Sequence, residues 1–184
     1  MVLKTLAIAL ALAGPVLAQQ PGSPYAGQQA RDIKALSDTE RQALVDGQGM
    51  GYAKAAELNG YPGPAHVLEL APQLGLSPRQ LEATRALMTE HKAQARTLGA
   101  ALIAAERALD EAFAQRRADE ATLRRLVGET ARLQGELRFE HLKTHLAQTA
   151  LLQPEQIARY AQLRGYTEGH GSGGGHAPGG GHHH

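Results

Sequence analysis

The sequence predicts an all-α protein built around one long antiparallel helical hairpin with shorter helices flanking it. The chain of 184 residues has no Cys, no Trp and only two Phe, and its apolar content is mostly Leu and Ala, which favours packed helices over a sheet. Apolar residues also recur at alternating spacings of three and four along two long stretches, which is typical of helices that face each other. One short break, at residues 116–120, separates the two stretches.

The first hairpin helix is predicted to begin at Pro78. Ser77 is a favourable N-cap, and Gln80 lies three residues later, where its side chain can close a capping box. No Pro interrupts the pattern before Ala118, so the helix should be about 55–60 Å long at 1.5 Å per residue. Its predicted seam consists of Leu81, Thr84, Met88, His91, Ala95, Leu98, Leu102, Ala105, Leu109 and Ala112.

The second hairpin helix is predicted to run from about Asp119 to about Leu151. Its seam continues through Leu123, Leu126, Thr130, Leu133 and Leu137. A short connection makes the two helices antiparallel neighbours. If the turn is centred near Arg117, facing residue numbers sum to about 235, which pairs Leu102 with Leu133 and places His91 opposite Thr144.

Residues 1–18 have the features of a secretory signal peptide. Lys4 supplies a positive start, an apolar run follows, and the small residues Val16 and Ala18 suit signal peptidase. The run is too short to span a bilayer and contains Pro15. A retained membrane anchor is the alternative. Without Lys4, 18 basic side chains meet 18 acidic ones and no basic block stands out, which argues against a nucleic-acid partner.

Three further regions complete the predicted organisation. Residues 19–63 are rich in Gly, Gln and Pro and are expected to form a flexible lead-in with one short helix, capped by Ser37 and Glu40. Residues 64–166 form the helical domain, in which a last helix begins at Pro154. Residues 167–184 are expected to be a disordered Gly/His-rich tail.

Two histidines of the second hairpin helix suggest a metal site. His141 and His145 are four residues apart, so their rings rise from one helix face about 6 Å apart and can chelate a divalent ion such as zinc, nickel or copper. His91 enters from the facing helix as a third candidate. Met88 could add a soft ligand. Glu140 could supply a carboxylate, either to the metal or to orient an imidazole.

Other interpretations of these histidines remain open. A helical pair of His residues can lie on a solvated face, and His91 can be a core histidine or a polar residue that sets the register. His66, in the short helix before Ser77, is interpreted as structural. The tail holds five more candidate ligands, and its end is either a natural metal-collecting segment or part of a tag. They are His170, His176, His182, His183 and His184.

Two helix starts carry a family resemblance. Leu76–Gln80 reads LSPRQ and Leu151–Gln156 reads LLQPEQ. Both resemble the L-T-x-x-Q motifs of the Spy/CpxP-like periplasmic chaperones and of the related periplasmic heavy-metal sensor and resistance proteins. Ser77 replaces the first Thr and Gln153 the second. The resemblance implies a cradle-like, all-helical homodimer in the periplasm, which shields unfolded proteins without ATP or binds metal and reports it to an envelope stress system.

Apolar residues that lie off the seam predict a further contact surface. A hairpin buries one seam, and a second apolar face calls for the short helices or for a partner. Such a face, rimmed by arginines, could serve dimerisation or bind an unfolded client. The residues assigned to client binding are Leu87, Arg96, Arg132, Phe139, Leu142 and Leu146.

The sequence favours a periplasmic metal-binding stress protein, active in heavy-metal sensing or resistance, with chaperone-like client binding. An ATP-independent chaperone with incidental histidines and a regulatory partner of a membrane stress sensor are the alternatives. An enzyme is not expected. There is no Ser–His–Asp order and no Gly-rich phosphate loop, and Glu140 precedes His141 instead of following it as in the H-E-x-x-H motif.

Overall fold

The predicted hairpin is present. In the computed structural model, which describes residues 23–166, the described part of the chain contains seven α-helices and no β-strand. The two long helices, α5 and α6, pack along each other. The helices are α1 Asp38–Val45, α2 Lys54–Glu57, α3 Pro64–Glu69, α4 Ala71–Leu74, α5 Pro78–Ala114, α6 Glu120–Leu151 and α7 Pro154–Leu163. None of them is both long and apolar enough to cross a membrane.

The ends of the hairpin helices follow the predicted capping chemistry. Ser77 Oγ accepts the Gln80 amide proton, and Gln80 Oε1 accepts the amide proton of Ser77, so the capping box of α5 is confirmed. Helix α5 ends at Ala114, about one turn earlier than predicted, and Arg116 reverses the chain with φ of 54°. Asp119 then caps α6 by accepting the amide proton of Thr122 at 2.7 Å.

The predicted register of the hairpin is confirmed where side chains of the two helices meet. Leu102, Leu133 and Leu137 belong to one buried cluster. About two to three turns towards the open end, the His91 Nδ1 and Thr144 Oγ1 atoms are 3.0 Å apart. Register is well determined here because a shift of one residue would move every seam leucine out of the core.

The lead-in is folded over most of its length. Residues 23–30 form a separate unit. Within residues 31–63 the predicted short helix is confirmed as α1, with the capping box of Ser37 and Glu40. A second helix, α2, follows in a stretch for which the composition predicts a flexible segment. Helix α1 packs on α5 and α2 packs on α6, and Leu44 joins the hairpin core with 2% exposure. The glycines of this segment allow tight turns, as at Gly47 and Gly51 with positive φ, and so permit close packing rather than preventing it.

The two motif glutamines join the helix starts at the open end of the hairpin. The Gln80 and Gln156 side-chain amides hydrogen-bond each other. Gln80 Nε2 also donates to the Leu151 carbonyl oxygen, and Gln156 Nε2 donates to that of Leu74. These bonds connect α4, α5, α6 and α7 at one corner of the fold, the open end of the hairpin. A second apolar cluster fills that corner and consists of Val67, Leu74, Leu152 and Tyr160.

Two predicted segments lie outside the described residues. They are the signal peptide, residues 1–18, and the Gly/His-rich tail, residues 167–184. The tail ligands therefore stay predictions.

Candidate metal centre

A cavity of about 370 Å³ lies at the open end of the hairpin. Its floor comes from α5 and α6, and its walls come from the loop at residues 47–51, from α2 and from the start of α3. The folded lead-in therefore encloses one face of the predicted metal ligands. Sequence reasoning missed this because it left residues 19–63 without a fixed position.

Every histidine of the described residues lines this cavity. His91 comes from α5, His141 and His145 come from α6, and His66 comes from α3. The rings of His91 and His141 meet edge to face, with centroids 4.6 Å apart. Two of the predicted ligands, His91 and His141, are thus in contact across the facing helices. His66, which the sequence analysis interprets as structural, lines the same cavity.

His91 is oriented from the opposite helix. Its Nδ1 atom lies 3.3 Å from Glu140 Oε1 and 3.0 Å from Thr144 Oγ1. The Thr144 hydroxyl donates to the Glu140 carbonyl oxygen, so it accepts from His91, and this network assigns the proton of the ring to Nδ1. The Nε2 lone pair is then left for another partner. Of the two roles considered for Glu140, the geometry matches the orienting one.

His141 is a buried imidazole with an unsatisfied nitrogen. The side chain is 4% exposed, and its ring stacks on Tyr52 with centroids 5.7 Å apart. Burial, with a smaller contribution from the neighbouring His91, lowers the pKa of His141 to about 4. Burial likewise lowers the pKa of His91, against the opposing effect of Glu140. The ring of His141 is therefore neutral at pH 7, yet its Nε2 atom has no hydrogen-bond partner among the described residues.

His145 is held by the segment between α2 and α3. Its Nδ1 atom donates to the Tyr61 carbonyl oxygen at 2.8 Å and lies 3.7 Å from Glu57 Oε2. Gly63 packs on the other edge of the ring, since a Cβ there would lie 2.8 Å from Nε2. Glu57 was not among the predicted site residues. Its Oε1 accepts hydrogen bonds from Tyr160 and Tyr166.

Thioether and cationic side chains complete the lining. Met88, predicted as a soft ligand, lines the cavity, and so does Met50 from the glycine-rich loop. Lys54 and Lys92 also reach it, and the Lys92 ammonium donates to the Asp46 carbonyl oxygen at 3.0 Å. The sequence GQGMGY around Met50 carried the only available signal, an apolar residue surrounded by glycines.

These side chains do not form a ready-made coordination sphere. Within residues 23–166, no group of three or more His, Asp or Glu side chains is arranged to hold an ion. The His91–His141–His145 site therefore stays a prediction. The chemistry of the lining nevertheless suits a transition metal, because neutral imidazoles are its usual nitrogen ligands and the buried Nε2 of His141 lacks a partner.

The predicted client-binding residues are four apolar side chains and two arginines. On α6, Phe139 is 65% and Leu146 58% exposed, and Leu142 lies half-buried on the same helix face, while Leu87 is half-buried on α5. Arg96 is exposed. Arg132 is already engaged by two carboxylates, Glu129 and Glu136, so it is a poor candidate for the rim of a client site.

Comparison with known proteins gives one match. The sequence model of a family described as heavy-metal resistance matches residues 50–159. No curated protein and no solved structure matches the chain. The matched segment includes the cavity-lining loop at Met50, both hairpin helices and the start of α7. It covers 110 of the 184 residues, and the chain belongs to the heavy-metal resistance family.

Proposed function

We propose that the protein captures a transition-metal ion in this cavity, in the periplasm, as its part in heavy-metal resistance. One observation carries the proposal. All four histidines and both methionines of residues 23–166 line the same cavity. They come from α3, α5, α6 and the loop at residues 47–51, so no single helix periodicity explains their meeting. Family membership supports the general role.

The protonation states of the lining favour cation capture. Imidazole binds metal only when it is neutral, and burial lowers the pKa of both His91 and His141. Leaving a buried polar atom without a partner costs about 1–3 kcal/mol. A metal ion bound at His141 Nε2 would remove that cost. Binding would therefore also stabilise the folded chain.

Calorimetric titration of residues 19–166 with zinc, nickel and copper ions tests the proposal. The tail is omitted because its histidines would bind metal by themselves. We expect one ion per chain, and an affinity that falls as the pH drops from 7 to 5 because protons compete for the rings. His91→Asn and His141→Asn should each weaken binding at least tenfold.

Glu90→Gln is the matched control, because Glu90 is an exposed neighbour of His91 that does not line the cavity. It should bind metal as the unchanged chain does. If both histidine variants also bind normally, the cavity is not the metal site, and metal chemistry in this protein belongs to the tail histidines.

A second function is favoured by the exposed apolar face of α6. Phe139 and Leu146 expose more than half of their surface, and large exposed apolar side chains that share one face mark interaction sites. We propose that this face, in chains that are not paired through it, binds unfolded or envelope proteins without nucleotide, or a membrane stress sensor. The replacement of both residues by Ser should abolish suppression of aggregation of an unfolding client, whereas Val127→Ser, near the turn, should not.

A further inference from the structure

The methionines of this chain have a common location. The sequence contains three, and one of them is Met1. The other two, Met50 and Met88, both line the cavity described above, although they come from a loop and from α5. The cavity thus collects every thioether of the described residues together with every imidazole. The two sulfur atoms and the four imidazoles outnumber the one carboxylate on its wall, that of Glu57.

Met50 is held at the cavity by an unfavourable backbone conformation. Its φ is 44°, in the left-handed region that side chains with a Cβ rarely adopt, and Gly47 and Gly51 on either side also have positive φ. Hydrophobic packing does not explain this position, since Met50 remains 42% exposed. Strained residues that packing does not explain are concentrated at binding sites, which indicates that the thioether itself has a use.

The charge of the wall disfavours a divalent ion. Two ammonium groups, those of Lys54 and Lys92, line the cavity against a single carboxylate, that of Glu57. Glu57 Oε1 is already an acceptor for two tyrosine hydroxyls. The two ammonium groups and the one carboxylate together give the wall about one net positive charge. Coulomb repulsion scales with the charge of the ion, so an ion of charge two is repelled twice as strongly as an ion of charge one.

We propose that the ion captured here is a soft monovalent cation, Cu(I) or Ag(I), ligated by the Met50 and Met88 sulfurs and by the His91 and His141 imidazoles. Thioethers select such ions, whereas imidazoles accept several transition metals. The inference rests on the proposed function and narrows it. In place of the expected zinc, nickel or divalent copper, the bound ion carries one positive charge and prefers softer ligands.

Methyl NMR of the full chain labelled with carbon-13 at the methionine methyl groups tests this inference. Ag(I) serves as the probe because it has the same charge as Cu(I) and does not oxidise in air. We expect Met50 and Met88 methyl signals to shift with up to one equivalent of Ag(I) and to stay in place with Zn(II). Residues 167–184 contain no Met, so metal bound by the tail is silent in this measurement.

Leucine replacements assign the signals and test affinity. Leu conserves the volume of Met, so Met50→Leu and Met88→Leu should keep the helical circular dichroism. Each should weaken Ag(I) binding about tenfold or more, the loss that even a residue supporting a metal ligand can cause. Zn(II) binding should be unchanged.

Two results would overturn the inference, and they differ for the proposed function. A second sample, labelled at the histidine rings, separates the two. If Zn(II) shifts the His91 and His141 ring signals while Ag(I) leaves both methyl signals unmoved, the cavity is a metal site for borderline ions and only the soft-cation inference fails. If neither ion shifts any ring or methyl signal of the cavity, the proposed function fails with it.

Discussion

At the scale of single residues, the two buried imidazoles make folding sensitive to acid. The pKa of His141 is lowered to about 4 in the folded chain, against about 6.5 in an unfolded one. Between these values the unfolded state binds more protons, so stability falls as pH falls. We expect His141 alone to account for a loss of about 3 kcal/mol between pH 7 and pH 4, at 1.36 kcal/mol per pKa unit. Denaturant titration across this range measures it.

His141→Asn is the variant that isolates this effect. It removes the titrating ring, so the decline of stability below pH 6.5 should become shallower than in the unchanged chain, even if the variant is less stable at pH 7. His66→Gln is the control, since His66 lies partly exposed beside Glu69. Parallel pH profiles for the His141→Asn variant and the unchanged chain would show that burial of this ring is not linked to protonation.

Glu106 is a second buried ionisable group, and its effect has the opposite sign. It lies on α5, one residue after the predicted seam position Ala105, with 8% exposure, and Gln134 Nε2 donates to it at 3.5 Å. Burial raises the pKa of Glu106, so the charged form costs stability, and that cost appears as pH rises through and above the ordinary carboxyl range. Glu106→Gln should raise stability at pH 7 by up to about 1 kcal/mol.

Thermal unfolding at pH 7 and at pH 4 measures this effect. The gain from Glu106→Gln should shrink at pH 4, where the carboxyl of the unchanged chain takes up a proton. Glu111→Gln, at an exposed position of the same helix, should change neither midpoint. An equal gain at both pH values would mean that the charge of Glu106 is not what limits stability.

At the scale of helices, the contact between α1 and α5 depends on one glycine. A Cβ at Gly99 would lie 2.3 Å from the Leu44 carbonyl oxygen, which is backbone and cannot move aside. Gly99→Ala should therefore detach α1 and cost more than 2 kcal/mol, within the range of severe single substitutions. Gly128→Ala on α6 has open space around the added methyl and should stabilise by up to about 1 kcal/mol.

Chemical denaturation of the two variants provides the comparison. Both replace a helical Gly by Ala, so helix propensity alone predicts the same gain for both. Opposite signs are expected because only Gly99 touches another helix. Two gains of similar size would show that α1 does not rest on α5 in solution.

The helices differ in how far the sequence could predict them. The seams of α5 and α6 repeat over many turns, and Ser77 and Gln80 mark the start of α5 unambiguously. The hairpin and its register at His91 and Thr144 could therefore be predicted from the sequence. In residues 31–63 the capping box of α1 could be predicted, but the position of the segment on the hairpin could not. Gly-rich loops carry no periodicity, and their position depends on contacts with distant residues, such as that of Leu44 with Gly99. Without that segment the enclosing wall of the cavity, including Met50 and Glu57, could not be predicted.

At the scale of the whole molecule, one side of the hairpin is better covered than the other. Helices α1 and α3 pack on α5, and α2 and α3 pack on α6. Phe139 and Leu146 stay exposed on α6, with Leu142 half-buried on the same face. A stable interface needs about 800 Å² from each partner. In a two-fold dimer the same patch is used by both copies, so each exposed side chain contributes twice.

We therefore expect residues 19–166 to form a homodimer through this face of α6. Sedimentation velocity at micromolar concentration should give twice the monomer mass. Replacing Phe139 and Leu146 by Asp should give the monomer mass with unchanged helical circular dichroism, because both side chains are exposed in the single chain and their replacement removes only intermolecular burial. Val127→Asp, at an exposed apolar position of α6 nearer the turn, should remain dimeric. A monomer at every concentration in the unchanged chain would leave the face free for clients, and it would exclude the two-fold cradle.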